Sequence, residues 1–401
     1  LKITYLFIHA SATSHSSVQA KVINQITAAR NSGTDMEGWF FTTDTSMNIT
    51  PIPGIHYIFM KGLGGRFFQS WRERSAMFKE VYRFVSGRKN QAERYYMRFA
   101  VPNFYLLKII YRIGNKLVFN HVSAETKEIK LYKSGSITTI SRFLSNLEFK
   151  WIPILNDYVF GFFVRRNVLG GVVNSHEIAR HQQKLAWGKY KTMVIGDGVD
   201  VSNFTPRKTP DFNGKIAMFF LKGASSDALY NGIDRLIKGM LNYTGNCSIS
   251  LSIYGSDLAY ESRLIKELHA EHIVTLKPFL SKKELDAELD QYHLGIGQLA
   301  VHRKGLKSNT TIKTREYFAR GIPFIYAHHD IDISESPEAI KFCLQFPADE
   351  SNIDLNKVEE FLGKIYADEN IPSKMNQFAM NHLDNTFKVK QIVGFVQGDF
   401  N

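Results

Sequence analysis

The chain has 401 residues, 44% of them hydrophobic and 13% aromatic, and a formal net charge of +12 at pH 7. That length exceeds one ordinary core and suits two domains of roughly 150 to 200 residues, and the apolar content excludes a disordered chain. No run approaches the ~18 apolar residues of a membrane span, and only Cys247 and Cys343 occur, so a membrane-spanning chain and a disulfide scaffold are set aside.

The first residues, LKITYLFIHAS, read as a strand and a polar loop and not as a signal peptide, which predicts a cytoplasmic protein. Both thiols are expected to be buried. Apolar runs at 3–9, 36–42, 55–60, 95–99, 116–121, 168–174 and 192–195 have the length of strands. Helical spacing separates them at 16–30, 67–86, 103–113, 136–165 and 175–187. Strands joined by helices of ten or more residues imply right-handed parallel crossovers and a doubly wound, Rossmann-like sheet. Residues 197–214, with Pro and Gly but no apolar period, read as a linker. The alternation then restarts, with strands at 215–221, 248–254, 273–276, 294–298, 324–327 and 344–346. Helices are expected at 230–242, 257–270, 281–290, nine residues after 311, 354–368 and 373–397. The predicted fold class is therefore α/β, with two doubly wound domains facing one another across a cleft.

Between Lys61 and Lys116 lie thirteen Lys or Arg against three Glu, so nearly all the excess charge falls in one segment. Phe67, Phe68, Trp71, Phe78 and Val85 recur there at helical spacing. Such a helix suits an anionic membrane surface, and it equally suits an ordinary helix whose apolar stripe enters the core.

Residues 305–327, GLKSNTTIKTREYFARGIPFIYA, hold the densest chemistry. Ser308, Asn309, Thr310 and Thr311 read as a loop that caps a helix, and Gly321 with Pro323 ends it. A helix start offers free N–H groups, Lys313 and Arg315 add positive charge, and Glu316 adds an acceptor for hydroxyls. This combination points to a nucleotide-sugar. Lys222, at a strand end before Gly223, is placed to meet a diphosphate, and His121 ends a strand on the edge where open α/β sheets do chemistry. The loop HASATSHSS at 9–17 lacks a dinucleotide fingerprint, yet Ser14, His15 and Ser16 could cap the helix or hold a phosphate or sugar. His328, His329, Asp330 and Asp332 resemble a metal motif, but adjacent strand residues point to opposite faces, and a loop cap is the better reading. No metal site is expected.

The phrases IGDGVDVSNFTP and REYFARGIPFIYA and the order of elements resemble the GT-B glycosyltransferases, in particular the retaining family-4 type. Gly198, Val199, Asp200, Phe204 and Pro206 match that family's phrase before the linker. Glu316 matches the second Glu of its paired-glutamate motif, which binds the donor's ribose, and Ser308 stands where the first would fall. Asn309 to Thr311 match the segment that holds the diphosphate, and His121 is similar to a histidine near the donor's anomeric carbon. Lys222 matches a phosphate-binding Arg, Asn231-Gly232 replaces the Lys-Gly that should follow, and Pro278 and Phe279 occupy the loop beside the base.

The resemblance implies an acceptor domain at 1–204, a donor domain at 205–385 and a final helix at 386–401 that returns to the first domain. It implies metal-independent transfer of a hexosyl or related group from a UDP- or GDP-type sugar, with retention, to a glycan or lipid-linked acceptor. The setting implied is bacterial-type surface polysaccharide or glycoconjugate synthesis, with the basic 61–116 segment at the inner face of the membrane. No cofactor beyond the donor substrate and no nucleic acid is expected. A non-catalytic GT-B binding protein and a GT-B sugar-nucleotide epimerase are the alternatives.

Overall fold

The structure is a computed structural model that describes all residues except 10–16, 44–50, 63–68, 89–92, 132–138, 224–228 and 400–401. It divides into two compact units, Leu1–Ile195 with Lys388–Asn401, and Gly196–Phe387.

The first unit is a sheet of seven parallel strands: β1 (Lys2–His9), β2 (Met36–Thr42), β3 (Ile55–Phe59), β4 (Glu93–Arg98), β5 (Leu117–His121), β6 (Gly170–Val173) and β7 (Thr192–Val194). Their spatial order, β3-β2-β1-β4-β5-β6-β7, reverses direction beside β1. The crossovers are α1 (Ser17–Asn31), α2 (Gln69–Gly87), α3 (Phe104–Ile113), α4 (Glu125–Lys130), α5 (Thr139–Asn146), α6 (Ile152–Arg166) and α7 (His176–Leu185). Helices cover both faces of the central strands, so β5 is buried along its whole length and β1 from Ile3 to Phe7, the polar Thr4, Asn120 and His121 included. One face packs Val22 and Ile26 of α1, and the other packs Phe78 and Val81 of α2 with Leu106 and Ile109 of α3.

The apolar stripe of α2 therefore lies in the core, with Phe78 and Val85 buried and only Trp71 largely exposed. The helix does not offer that stripe to a membrane. Phe67 and Phe68 lie outside the described residues.

The second unit has six parallel strands, β8 (Lys215–Leu221), β9 (Ser248–Gly255), β10 (Val274–Pro278), β11 (Leu294–Ile296), β12 (Phe324–Tyr326) and β13 (Cys343–Gln345), in the order β10-β9-β8-β11-β12-β13. Its helices are α8 (Ile233–Leu241), α9 (Ala259–Glu267), α10 (Lys282–Glu288), α11 (Ile312–Arg320), α12 (Leu355–Ile365) and α13 (Ile371–Phe378). Cys343 is buried, whereas Cys247 is only half-buried, its thiol 3.3 Å from a Glu359 carboxylate oxygen.

Residues 197–204 do not form a free linker. The Val199 N–H donates to Leu383 O, Val201 enters the core of the second unit, and Asp200 accepts from the Asn385 amide. These contacts put the first boundary at Ile195, nine residues before the expected one. The single helix expected at 373–397 is interrupted: after α13 comes a π-helical turn, Ala379–Leu383, and then extended Asp384. One Asp384 oxygen accepts from the Val201 N–H and the other from Thr386 N–H, so this side chain opens α14 (Asn385–Gln397). From Val389 onward α14 buries Ile392, Val393 and Val396 in the first unit, the return that the resemblance implies.

Candidate functional site

In the second unit the sheet order reverses between β8 and β11, and the chemistry-rich stretch sits beyond the C-terminal ends of β11 and β12. This is the edge at which open α/β sheets take ligands. The loop at 307–311 is pinned on both sides. The Asn309 N–H donates to His329 O (3.0 Å), His329 N–H donates to Lys307 O (2.8 Å), and the Asn309 amide donates to the Gln298 side chain (2.7 Å). Thr310 is buried and accepts from Asp197 N–H at 3.4 Å. Thr311 is the N-cap: its backbone is extended and its hydroxyl accepts from Thr314 N–H at 3.3 Å. That bond satisfies one of the orphan donors of the first turn and leaves the N–H groups of Ile312 and Lys313 without an intrahelical acceptor.

Lys313 lies half-buried with its ammonium 3.8 Å from the centre of the Phe220 ring. Burial pushes its pKa down to about 7, against a weaker opposing pull from Glu316. Glu316, one turn further on, accepts from Arg320 at 3.0 Å and keeps part of its surface in solvent.

Arg315 points the other way. Its side chain is wholly buried, and all five of its N–H donors have acceptors: Asp197 O, Thr314 Oγ1, both Asp330 oxygens and Asp332 Oδ2. Burial alone would lower its pKa, yet the two carboxylates raise it above the ordinary value. Arg315 is thus the brace that ties α11 to the 330–332 loop and to Asp197, and it is not a cation presented to a phosphate. The same bonds account for Asp330 and Asp332 as ligands of a guanidinium.

Lys222 is also engaged. Its ammonium donates to Glu261 Oε2 (2.7 Å) and Asp257 O (2.6 Å), and its side chain is 1% exposed. The expected meeting with a diphosphate would require breaking a buried ion pair. Pro278 closes β10, and Phe279 beyond it is 69% exposed. Ser308 forms an isolated bridge with His329. Asn231 is buried and its carbonyl accepts from the Leu299 N–H at 3.0 Å, while Gly232 has φ +67° and a Cβ there would lie 2.9 Å from Leu299 and Ala300.

In the first unit, the switch between β1 and β4 opens into a cavity of about 350 Å³. Ile8 of β1, Arg98 of β4, Val122 and Ser123 after β5, Arg74 of α2 and Glu125 of α4 are among its walls. Among the described residues neither the Arg74 nor the Arg98 guanidinium makes a hydrogen bond or an ion pair. Burial lowers the pKa of Arg74. Guanidinium groups lining one cavity are of the chemistry that binds anions.

His121 ends β5 as expected, but its ring faces inward. It is fully enclosed, with Nε2 2.8 Å from the Tyr190 hydroxyl, Nδ1 3.5 Å from Glu125 and the ring against Phe99. Burial, which favours the neutral ring, pushes its pKa below the usual imidazole value against an opposing pull from Glu125. Glu125, not the ring, reaches the cavity. Ser14, His15 and Ser16 lie outside the described residues.

No family model matches the chain, and no curated protein matches it in sequence. Solved structures do match it over nearly its whole length. A sucrose-phosphate synthase from Thermosynechococcus elongatus is 12% identical, covering 100% of this chain and 99% of its own, with a TM-score of 0.68. A glycosyltransferase from Rickettsia africae is 11% identical over 99% and 98%, with a TM-score of 0.62. The Anabaena protein HepE in complex with UDP and glucose is 13% identical over 98% and 99%, with a TM-score of 0.60. The fold is GT-B. It accounts for the two parallel sheets and the returning α14, and at these identities the likeness is one of fold.

Sequence reasoning missed Arg74, Arg98 and Glu125. Arg74 and Arg98 stood among the thirteen cations of the basic segment with nothing to set them apart. Only the strand order brings them together.

Proposed function

We propose that this protein transfers a glycosyl group from a nucleotide-diphosphate sugar, of the UDP or GDP type, to a glycan or lipid-linked acceptor. The observation that carries this reading is the start of α11. There a loop fixed by both neighbouring strands leaves two N–H groups open, beside a half-buried lysine and one turn before a carboxylate. Such a start suits the diphosphate, because its dipole and donors are already oriented when charge develops on the leaving group. Glu316 would receive the ribose hydroxyls. The exposed Phe279 would border the base.

The acceptor would enter the first unit's cavity, where Arg74 and Arg98 suit an anionic group on it. Retention, a hexosyl or related donor, and synthesis of surface polysaccharide or glycoconjugate on the cytoplasmic side of a membrane complete the proposal. We propose no metal in the reaction, since Asp330 and Asp332, which have the spacing of a metal motif, are ligands of Arg315. The basic 61–116 segment would add long-range attraction to an anionic surface, without an apolar contribution from α2.

A melting-shift and calorimetric screen against UDP, GDP and their sugars tests the donor side. Binding of one nucleotide series that Glu316→Ala weakens is expected, and indifference to every nucleotide overturns the proposal. A second reading, binding without turnover, is favoured by Ser308 in place of a carboxylate and by the enclosure of Lys222 and His121. Donor consumption in the presence of acceptor separates the two, and consumption without acceptor would mark an epimerase.

A further inference from the structure

α6 is built inside out. Its buried stripe consists of Pro153, Asp157, Gly161, Val164 and Arg165, and its outward stripe of Trp151, just before it, with Leu155, Tyr158, Val159 and Phe163. The two stripes recur at three- and four-residue steps on opposite sides of the helix. The inner one holds an ion pair, Arg165 to Asp157 at 2.7 Å, with both side chains fully buried. The outer one holds no charge, although Leu155 is 62% exposed, Trp151 57% and Phe163 53%. A helix that faces water shows the reverse pattern.

The chain around α6 adds to this surface. Trp187, just beyond α7, is 78% exposed with its ring 4.8 Å from Phe162, and it sits in the left-handed backbone region at φ +52°. A bulky residue seldom adopts that conformation. Here it holds an indole at the surface.

Cations stand at the aromatic rings. The Lys130 ammonium lies 5.4 Å from the Tyr158 ring and donates to its hydroxyl at 3.2 Å. Lys150 lies 5.6 Å from the Trp151 ring, and the Arg166 guanidinium 5.0 Å from the Phe162 ring. Trp and Tyr with Lys and Arg around an apolar face are the composition of a surface that rests in the headgroup layer. No helix among the described residues is long and apolar enough to cross a membrane, so the contact would lie in the plane of the bilayer.

We propose that the outward face of α6, with the π-helical turn Leu147–Trp151 before it and Trp187 beside it, seats the first unit on an anionic lipid surface. Charge decides against a second copy of the chain as the occupant. A two-fold contact would bring the Lys130, Lys150 and Arg166 rim against an identical rim, whereas anionic headgroups neutralise it. The inference does not depend on the donor chemistry. It also moves the apolar contact from α2, whose stripe is inside, to α6.

The test is flotation of the full chain with phosphatidylcholine vesicles, with and without phosphatidylglycerol, at low and high salt. The wild type should float with the anionic vesicles, keep part of that binding at high salt, and show a blue shift of tryptophan emission. Trp151→Glu with Leu155→Glu should weaken binding roughly a hundred-fold, a factor of about ten for each large apolar side chain withdrawn. Lys150→Glu should remove mainly the preference for anionic lipid. Both positions are exposed, so an unchanged far-UV spectrum and melting midpoint serve as the folding control. Three results would overturn the proposal: no flotation at low salt, the double variant floating like the wild type, or a wild-type dimer that the double variant dissolves. Nucleotide binding measured in parallel keeps this outcome separate from that of the transfer reaction.

Discussion

Replacing Arg315 by Met should unfold the second unit selectively. The guanidinium bonds both oxygens of Asp330 and one of Asp332 inside the domain, and its side chain and that of Asp330 are fully buried. Removing it leaves Asp330 buried without that counter-charge and takes a charge-assisted bond from Asp332, a change worth about 3 to 5 kcal/mol. For a unit of this size each kcal/mol moves the midpoint by roughly 2 to 4 °C, so a fall of about 10 °C is expected. The chain supplies its own assay, because Trp39, Trp71, Trp151 and Trp187 all lie in the first unit. Far-UV circular dichroism should therefore show an early transition that tryptophan emission does not follow. Adding Asp330→Leu to Arg315→Met should recover much of the loss, since a well-packed apolar pair can replace a buried ion pair. Arg315→Lys should fall between, because three donors cannot serve five acceptors. An early transition absent in Arg315→Met would refute the assignment of this residue as the brace beneath the α11 loop.

Gly196→Ala should act on the same brace from the other side, because a Cβ there would lie 1.8 Å from Asp332 Oδ2 and 3.1 Å from an Arg315 nitrogen. The same early transition is expected, with weakened nucleotide binding. Lys313, with its pKa at about 7, is mostly neutral at pH 8, and a bound diphosphate should raise that value. Binding at pH 8 should then take up as much as about one proton, seen as a dependence of calorimetric enthalpy on the buffer, and Lys313→Met should abolish it. Glu37 is opposed by its burial yet held at about 2 by Lys2, Arg88 and Trp39. Its stabilisation is present above the unfolded value and lost as pH falls from about 4.5 through 2, roughly 3 kcal/mol, so Glu37→Gln should flatten that part of the acid limb. Arg74→Ala and Arg98→Ala should each raise the KM for a phosphate-bearing acceptor and leave donor affinity unchanged; an equal effect on a neutral acceptor would argue against an anion site.

Most of the architecture was legible because strands and helices in α/β units differ plainly in period and length. β8 spans the 215–221 expected of it, and α11 has the nine residues its caps allot. The boundaries that failed were set by single side chains acting at a distance in sequence. Nothing local in 373–397 says that Asp384 will bond Val201 N–H and break the helix there. Residue types in the candidate site were legible, but their partners were not. Lys222 reads as a free strand-end cation until Glu261, thirty-nine positions away, is folded against it. Arg315 and Lys313 look interchangeable in sequence, yet helical rotation puts one among carboxylates and the other over an aromatic ring.

This pairing decides how negative charge could be met in each unit. A donor diphosphate could gain about 1.5 to 3 kcal/mol from a charge-assisted bond to Lys222, but taking that ammonium from Glu261 costs about 3 to 5. The exchange is unfavourable, and the same holds more strongly for Arg315. What remains near the α11 start is the set of oriented N–H groups and Lys313, whose charge is absent or present according to what lies beside it. In the first unit the balance is opposite, since among the described residues the Arg74 and Arg98 guanidinium groups have no ion pair to break. Standing positive charge therefore belongs to the cavity proposed for the acceptor, and inducible positive charge to the loop proposed for the donor. In that arrangement the departing diphosphate, whose charge grows during transfer, meets a lysine able to gain a proton as it does so.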